Sequence, residues 1–461
     1  MTTRLELPES DLASFAARFT GRVIRPDDTD YPAARSVWNG MIDRYPALIV
    51  SPTTPDEVAA AIRLARDHDL PVAVRGGGHN VAGLGVCDTG VVIDLTDMSN
   101  VVIDAQSRTI RAGGGCTWAA LDAAAAEYQL ATPGGLISST GVGGLTLGGG
   151  IGWLARKFGY SSDNLLQVEI VTADGTAVVA DQDQHPDLFW AVRGGGGNFG
   201  VVTSFTFAAH PVSTVLAGLV LYRGDRAGDV LAEYDRWAGD LPNEMTTLAA
   251  LNTAPPAPFV PPELHFNPAV AIALCHVGDP GEGADLLDRF RRACPPDADA
   301  VGPMPYPVLQ TMLDASAPHG QRNYWKSGYL TALPPGLRQA VIDAATRMVS
   351  PFDQIHLNQL GGAVGTNTGG AVGHRDASYV VNIIGACTDP ADDAANVAWA
   401  RDSWAQIEPF TTGGYINFLA GDDAERVQSA YDPATWTRLQ QVKNDWDPHN
   451  VFHINHNIRR T

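Results

Sequence analysis

Three glycine-rich clusters, all in the first half of the chain, constrain the fold more than any other feature. The first is Arg75-Gly76-Gly77-Gly78-His79-Asn80. The second, GGLISSTGVGGLTLGGGIGW, runs from Gly134 to Trp153, and the third, RGGGGNFGVVT, from Arg193 to Thr203. Glycine permits positive φ and close approach of the backbone to a ligand. A run of exposed N–H groups forms a nest for an anion such as a pyrophosphate. No cluster ends in Gly-Lys-Ser/Thr, so none is a P-loop. The first is followed by HNVAGLGVCDTG rather than a helix, so a dinucleotide phosphate could not rest on a helix N-terminus there. A single cluster reads as a tight turn; three, each beside an apolar strand, read as a shared binding cradle.

The 461 residues exceed what one core usually serves, which implies two domains or one split domain. With 45% hydrophobic and 18% charged residues, the chain can fill a sizeable core. No apolar run approaches the ~20 residues that span a bilayer. The opening MTTRLELPESDLASF has acids and a proline where a secretory signal needs a basic and then an apolar stretch. The expectation is a cytoplasmic protein without a membrane partner. A formal net charge of −20 opposes nucleic acid and favours a neutral or cationic small substrate. The five cysteines are scattered and form no C-x-x-C, so neither a disulfide framework nor a metal site is expected.

From residue 47 the pattern is strand, helix, strand. Thr54-Pro55-Asp56-Glu57 predicts a helix start with a capping box. VVIDA and TIRAG form a hairpin-like pair, Thr117 is a predicted N-cap, and a turn at Asp174-Gly175 joins two strands. After Pro211 the character changes. LAGLVLY, AVAIALCHV, YWKSGYL, IHLNQLGGAV and SYVVNIIGA alternate with four helical segments, which predicts an antiparallel sheet with helices on one face. The fold class is therefore α+β. The boundaries are 1–212 for a cofactor-binding domain, 213–412 for a substrate domain, and 413–461 for a segment that returns to the first.

These clusters, with the late GGYINF and YDP…VKNDWDPHNVFHINHNI, resemble the berberine bridge enzyme-like flavoproteins of the vanillyl-alcohol oxidase superfamily, in its bacterial form. The resemblance implies a two-part FAD-binding domain of the PCMH type, covering about residues 30–212 and 413–460. It also implies that His79 bonds to the 8α-methyl of the flavin. Ile137 occupies the position of a second, cysteinyl attachment in some members, so a single bond is expected. By the same resemblance Arg75, Gly76, Gly77, Gly78 and Asn80, with Gly83 beyond them, cradle the pyrophosphate. Ser138, Ser139, Thr140, Gly141, Val142, Gly143 and Gly144, with Gly148, Gly149, Ile151 and Gly152, line the ring and ribityl chain. Val202 packs near the adenine, and Asn455 and Asn457 approach the isoalloxazine. Val142 takes the position that leaves room for molecular oxygen.

For the substrate side, Tyr415 matches the Tyr of a family Tyr-x-Asn motif, with Asn417, and is the expected base. A tyrosine of pKa about 10 needs a neighbour to stabilise its phenolate. Tyr324, Lys326, His374, Arg375 and Tyr379 are the candidates. The resulting expectation is an FAD-dependent oxidase that takes hydride from a hydroxyl-bearing carbon of a sugar or natural product and makes hydrogen peroxide. Oxidation beside an amine nitrogen, as in nicotine-degrading relatives, and non-catalytic flavin binding are the alternatives.

Overall fold

The computed structural model describes residues 7–367 and 369–459. It is built on three main sheets. A four-stranded sheet holds Arg22–Ile24, Leu48–Ser51, Val91–Asp94 and Val72–Arg75 in that order, parallel except for the first pair. Residues Leu48–Ser51 and Val91–Asp94 are buried along their whole length, as strands covered on both faces must be. A five-stranded antiparallel sheet follows, in the order Val101–Asp104, Thr109–Gly113, Val201–Ala208, Leu165–Val171, Ala177–Asp181. Both predicted hairpins are present in it. Helix Pro55–Asp67 packs its apolar face, including Val58, Ile62 and Ala65, into the core of the first sheet.

Thr54 caps that helix, its hydroxyl accepting from Glu57 N at 3.3 Å. The reciprocal half of the expected capping box is replaced. The Glu57 carboxylate accepts from Thr53 N (2.7 Å) and from the Thr20 hydroxyl (2.6 Å), tying the helix start to the N-terminal strand. Thr117 caps helix Trp118–Ala126 as expected.

The third sheet is antiparallel and larger. Its main path runs Ala298–Asp299, Thr214–Arg223, Pro268–His276, Met245–Thr253, Gln354–Gln359, Tyr379–Cys387, Arg322–Leu330. Helices Ala227–Gly239, Pro280–Ala293, Pro335–Ala345 and Asp393–Ile407 supply Leu231, Leu287, Val341 and Trp404 to one core against one face of it. Strand Met245–Thr253 escapes sequence reading because it shows no alternation. It is a central strand, buried from Met245 to Leu251, and is written in alanine, threonine and leucine.

The sheet's other face turns toward the glycine clusters, and the C-terminal tail closes over the same place. Lys443, fully buried, donates to Asp447 Oδ2 (2.7 Å), Asn198 O (2.8 Å) and Phe452 O (2.9 Å). Asn198 in turn accepts from Ile458 N at 2.9 Å. The tail is thus fastened to the third glycine cluster by a buried ion pair whose remaining hydrogen-bonding positions are largely filled. Removing one partner of such a pair leaves a buried charge uncompensated. Asp447→Ala is expected to cost about 3–5 kcal/mol, read as a lower urea midpoint, with the tail becoming protease-sensitive first.

Candidate functional site

The three glycine clusters converge on one elongated cavity. Gly77 follows the end of strand Val72–Arg75, and Gly141 precedes the short helix Val142–Leu147. The two backbones touch: a Cβ on either glycine would collide with the other's backbone nitrogen. Gly78, at φ +69°, turns the chain so that His79 faces the cavity. Arg75 is also on the wall, but its guanidinium is engaged by Asp94 Oδ2 (2.7 Å) and Ser36 O (3.2 Å). That leaves the loop's backbone N–H groups as donors for an anion.

His79 stacks on Trp38, with ring centroids 5.2 Å apart and planes 17° off parallel. Its Nε2 lies 3.0 Å from the Ser139 hydroxyl and its Nδ1 3.5 Å from that of Thr140. Burial, helped by His319, pushes its pKa down to about 4. The ring is neutral at pH 7 and keeps a nitrogen lone pair.

Gly196, Gly197, Gly200 and Val202 form the far end of the cavity, and Asn455 and His456 of the tail complete it. Asn455 Oδ1 and His456 Nε2 are buried without a hydrogen-bond partner. Unpaired polar atoms of this kind are costly unless a ligand meets them. Over the His79 end stands the third sheet. Asn323 and Trp325 come from one strand, Gln354, His356 and Asn358 from the next but one, and Asn382 and Ile384 from the strand between. Phe418, from the turn Ile416–Phe418, also lines the wall.

Residues 46–181 match a family model described as an FAD binding domain, and 414–459 match one described as berberine and berberine like. An (R)-6-hydroxynicotine oxidase of Paenarthrobacter nicotinovorans is 31% identical over 95% of this chain and 96% of its own. An FAD-linked oxidoreductase of Dictyostelium discoideum is 29% identical over 96% of both chains. The chain belongs to the berberine bridge enzyme-like FAD-linked oxidoreductases. Among solved structures, 6-hydroxy-D-nicotine oxidase from Arthrobacter nicotinovorans superposes with a TM-score of 0.85 at 28% identity, covering 96% of this chain and 98% of that one. Berberine bridge enzyme from Eschscholzia californica shares the fold, with a TM-score of 0.85 at 22% identity over 98% and 99% of the two chains. The glycine cradle and the unpaired tail atoms suit FAD, whose pyrophosphate needs backbone donors and whose ring edges carry hydrogen-bonding groups.

Of the residues expected to hold this flavin, Arg75 through Asn80, Thr140, Gly141, Gly143, Gly144, Ile151, Val202, Asn417 and Asn455 line the cavity. Others stand behind it. Gly83 packs on Ile42, Gly148 on Asn417, Gly149 on Val372 and Tyr415, and Gly152 on the Gly134 carbonyl. Ser138 is bound to Asp314 through N (2.8 Å) and Oγ (2.6 Å). Ser139 acts through His79, and Asn457 lies beyond the wall with Oδ1 buried and unpaired. Val142 is fully buried in the core, and its neighbours Gly141 and Gly143 are on the wall instead.

The structure places the substrate-side candidates away from the cavity wall. Tyr415 is 1% exposed and packs in a core cluster with Tyr160 and Tyr329, off the cavity wall. Its hydroxyl accepts from Gly150 N and from Asn417 Nδ2, each at 3.0 Å, and burial pushes its pKa up to about 12. The turn after it brings Phe418, not Tyr415, to the cavity. Tyr324 and Lys326 project from the opposite face of their strand to Trp325 and bind Asp422 and Asp423. His374 lies against Ser429 O and Thr412, and Arg375 is paired with Asp163 at 2.7 Å. Tyr379 belongs to the helix-covered core.

Sequence reading missed Asn323, Trp325, Gln354, His356, Asn358 and Asn382. In IHLNQ the polar His356 and Asn358 alternate with the apolar Ile355 and Leu357, but in NYWKS both faces carry polar or aromatic residues and the sequence does not say which one lines the cavity. Tyr415→Phe is expected to leave the rate of flavin reduction unchanged. It should lower stability by about 1–3 kcal/mol, since a buried N–H loses its acceptor; rapid-mixing reduction and urea unfolding measure the two effects.

Proposed function

We propose that the protein carries FAD on a single bond to His79, oxidises the carbon beside an amine nitrogen of a small molecule, and passes the electrons to oxygen. One observation carries the amine assignment. Among the described residues, those lining the cavity include Arg75 as their only charged side chain and no carboxylate, lysine or tyrosine. An alcohol must lose its hydroxyl proton as hydride leaves, which calls for a positioned base. A neutral amine does not: its lone pair forms the C=N bond as the C–H hydride departs, and water then hydrolyses the iminium to a carbonyl compound and an amine. Bound FAD supplies the hydride acceptor. The amides of Asn323, Gln354, Asn358 and Asn382 orient a neutral polar group without changing its protonation. The likeness to an (R)-6-hydroxynicotine oxidase over nearly the whole of both chains points the same way.

The neutral, buried His79 ring has the lone pair that attachment requires. Ile137 lines the wall, no cysteine does, and burial raises the Cys116 thiol to about 11. A single histidyl bond fits these neighbours. Wild-type protein should stay yellow after acid precipitation, with one flavinylated histidine peptide, while His79→Ala should release free FAD.

Hydroxyl oxidation retains a candidate base on the third sheet, His356. Its Nε2 lies 2.9 Å from Gln354 Oε1, which can only accept, so Nε2 carries the hydrogen and Nδ1 the lone pair. Flavin reduction by amines such as N-methylbenzylamine separates the readings. On the amine reading the rate rises with pH as the substrate ammonium deprotonates, and His356→Gln keeps both rate and profile. A fall of about 10²–10⁴-fold in His356→Gln, with alcohols as the better reductants, would instead make His356 a general base.

A further inference from the structure

A second hollow adjoins the catalytic cavity. Leu313, Ser316, Gln354 and His356 line both. It spreads over the face of the third sheet opposite the four long helices, on strands Thr214–Arg223, Met245–Thr253 and Pro268–His276, beside the short helix Tyr306–Gln310, and has a volume of ≈ 800 Å³. Its floor is Leu221, Leu248, Ala250, Ala271 and Ala273. Paired register places Leu221, Ala271 and Ala250 in one row and Ala273 and Leu248 in the next. Val260 and Leu264 pack against Leu221, Ala250 and Ala271, and the small alanine side chains leave the hollow beside them.

The rim is apolar and open to water. Phe266 is 69% exposed, Val308 53%, Phe352 41% and Phe259 36%. Exposed large apolar groups gathered in one place mark a binding surface. The chain carries a net charge of −20, yet among the described residues no aspartate, glutamate, lysine or arginine lines this trough. One polar atom on the floor, Asn252 Oδ1, is buried and lacks a hydrogen-bond partner.

We propose that this trough binds the tail of the substrate: an uncharged alkyl or aryl chain, running from the reacting carbon beside His356 across the alanine floor. The occupant follows from continuity. A molecule whose reacting end sits among the amides has the trough as its adjoining apolar space, and a donor on its chain would meet Asn252. The reacting end rests on the amine reading above; the tail does not.

The test uses the flavin-loaded protein and neutral probes. Nile red should bind saturably with enhanced emission, and 1-alkanols from butanol to octanol should displace it. Each added methylene should improve displacement about 4-fold, the worth of burying one CH₂. Ala271→Phe, which fills the floor, and Phe266→Ser, at the exposed rim where folding is indifferent, should weaken dye binding with flavin content unchanged. N-methylalkylamines of the same lengths should bleach the flavin at concentrations that fall in parallel. Displacement independent of chain length, or dye binding unaltered in both variants, would overturn the proposal. Dye binding lost as protein concentration rises would assign the trough to a second copy of this chain and overturn it as well. Displacement that scales as expected, with no amine bleaching the flavin, would uphold the trough and refute the amine reading.

Discussion

The site depends on one contact between two glycines. Gly77 and Gly141 come from different parts of the chain, and each occupies space that the other's Cβ would need. Gly76 approaches Gly114 in a similar way, and Gly114 lies against the Val202 carbonyl. Gly114 N also donates to Thr203 O at 2.9 Å. Through these approaches the first sheet, the loop before helix Val142–Leu147 and the five-stranded sheet meet at the same place. Side chains there would hold the elements further apart, and the backbone nest for an anion would open. His79 stands on the cavity wall because it follows this contact by two residues.

The opposite wall has a different logic. A sheet covered by helices on one face alternates core residues with residues that face the cavity. On the cavity face the central strands carry amides, a histidine and a tryptophan, while their neighbours carry leucine and alanine. Among the described lining residues a cationic group finds no counter-charge, and an anionic one finds only Arg75, which Asp94 already engages. The chemistry left to such a wall is orientation and exclusion of water, with the electron transfer assigned to the flavin. The anchoring of the tail belongs to the same design. Lys443 and Asp447 hold in place the segment that brings Asn455 and His456 to the cavity.

Most of the fold was legible because glycine clusters, caps and turn residues act locally. The hairpins at residues 101–113 and 165–181 and the cap at Thr117 follow from their own few residues. The cradle was legible because consecutive glycines have few other uses. The substrate wall was not, for a geometric reason. Spacing within Tyr-x-Asn does not say which way a side chain turns, and the turn Ile416–Phe418 sends Tyr415 into the core and Phe418 to the cavity. Facing separates neighbours in the next strand too: Tyr324 and Lys326 turn to Asp422 and Asp423, while Asn323 and Trp325 line the cavity. Parity becomes readable only when one knows which face the helices cover. Strand Met245–Thr253, buried along most of its length, gave no alternation to read.

The flavin content of Gly77→Ala reads the contact between the two glycines. The added methyl meets the Gly141 backbone, which cannot rotate away as a side chain would. The variant is expected to fold, with native far-ultraviolet circular dichroism, to purify with little or no FAD and to take up none on incubation. A Gly77→Ala protein carrying a full complement of flavin would contradict this, because the two loops would then not set the cradle.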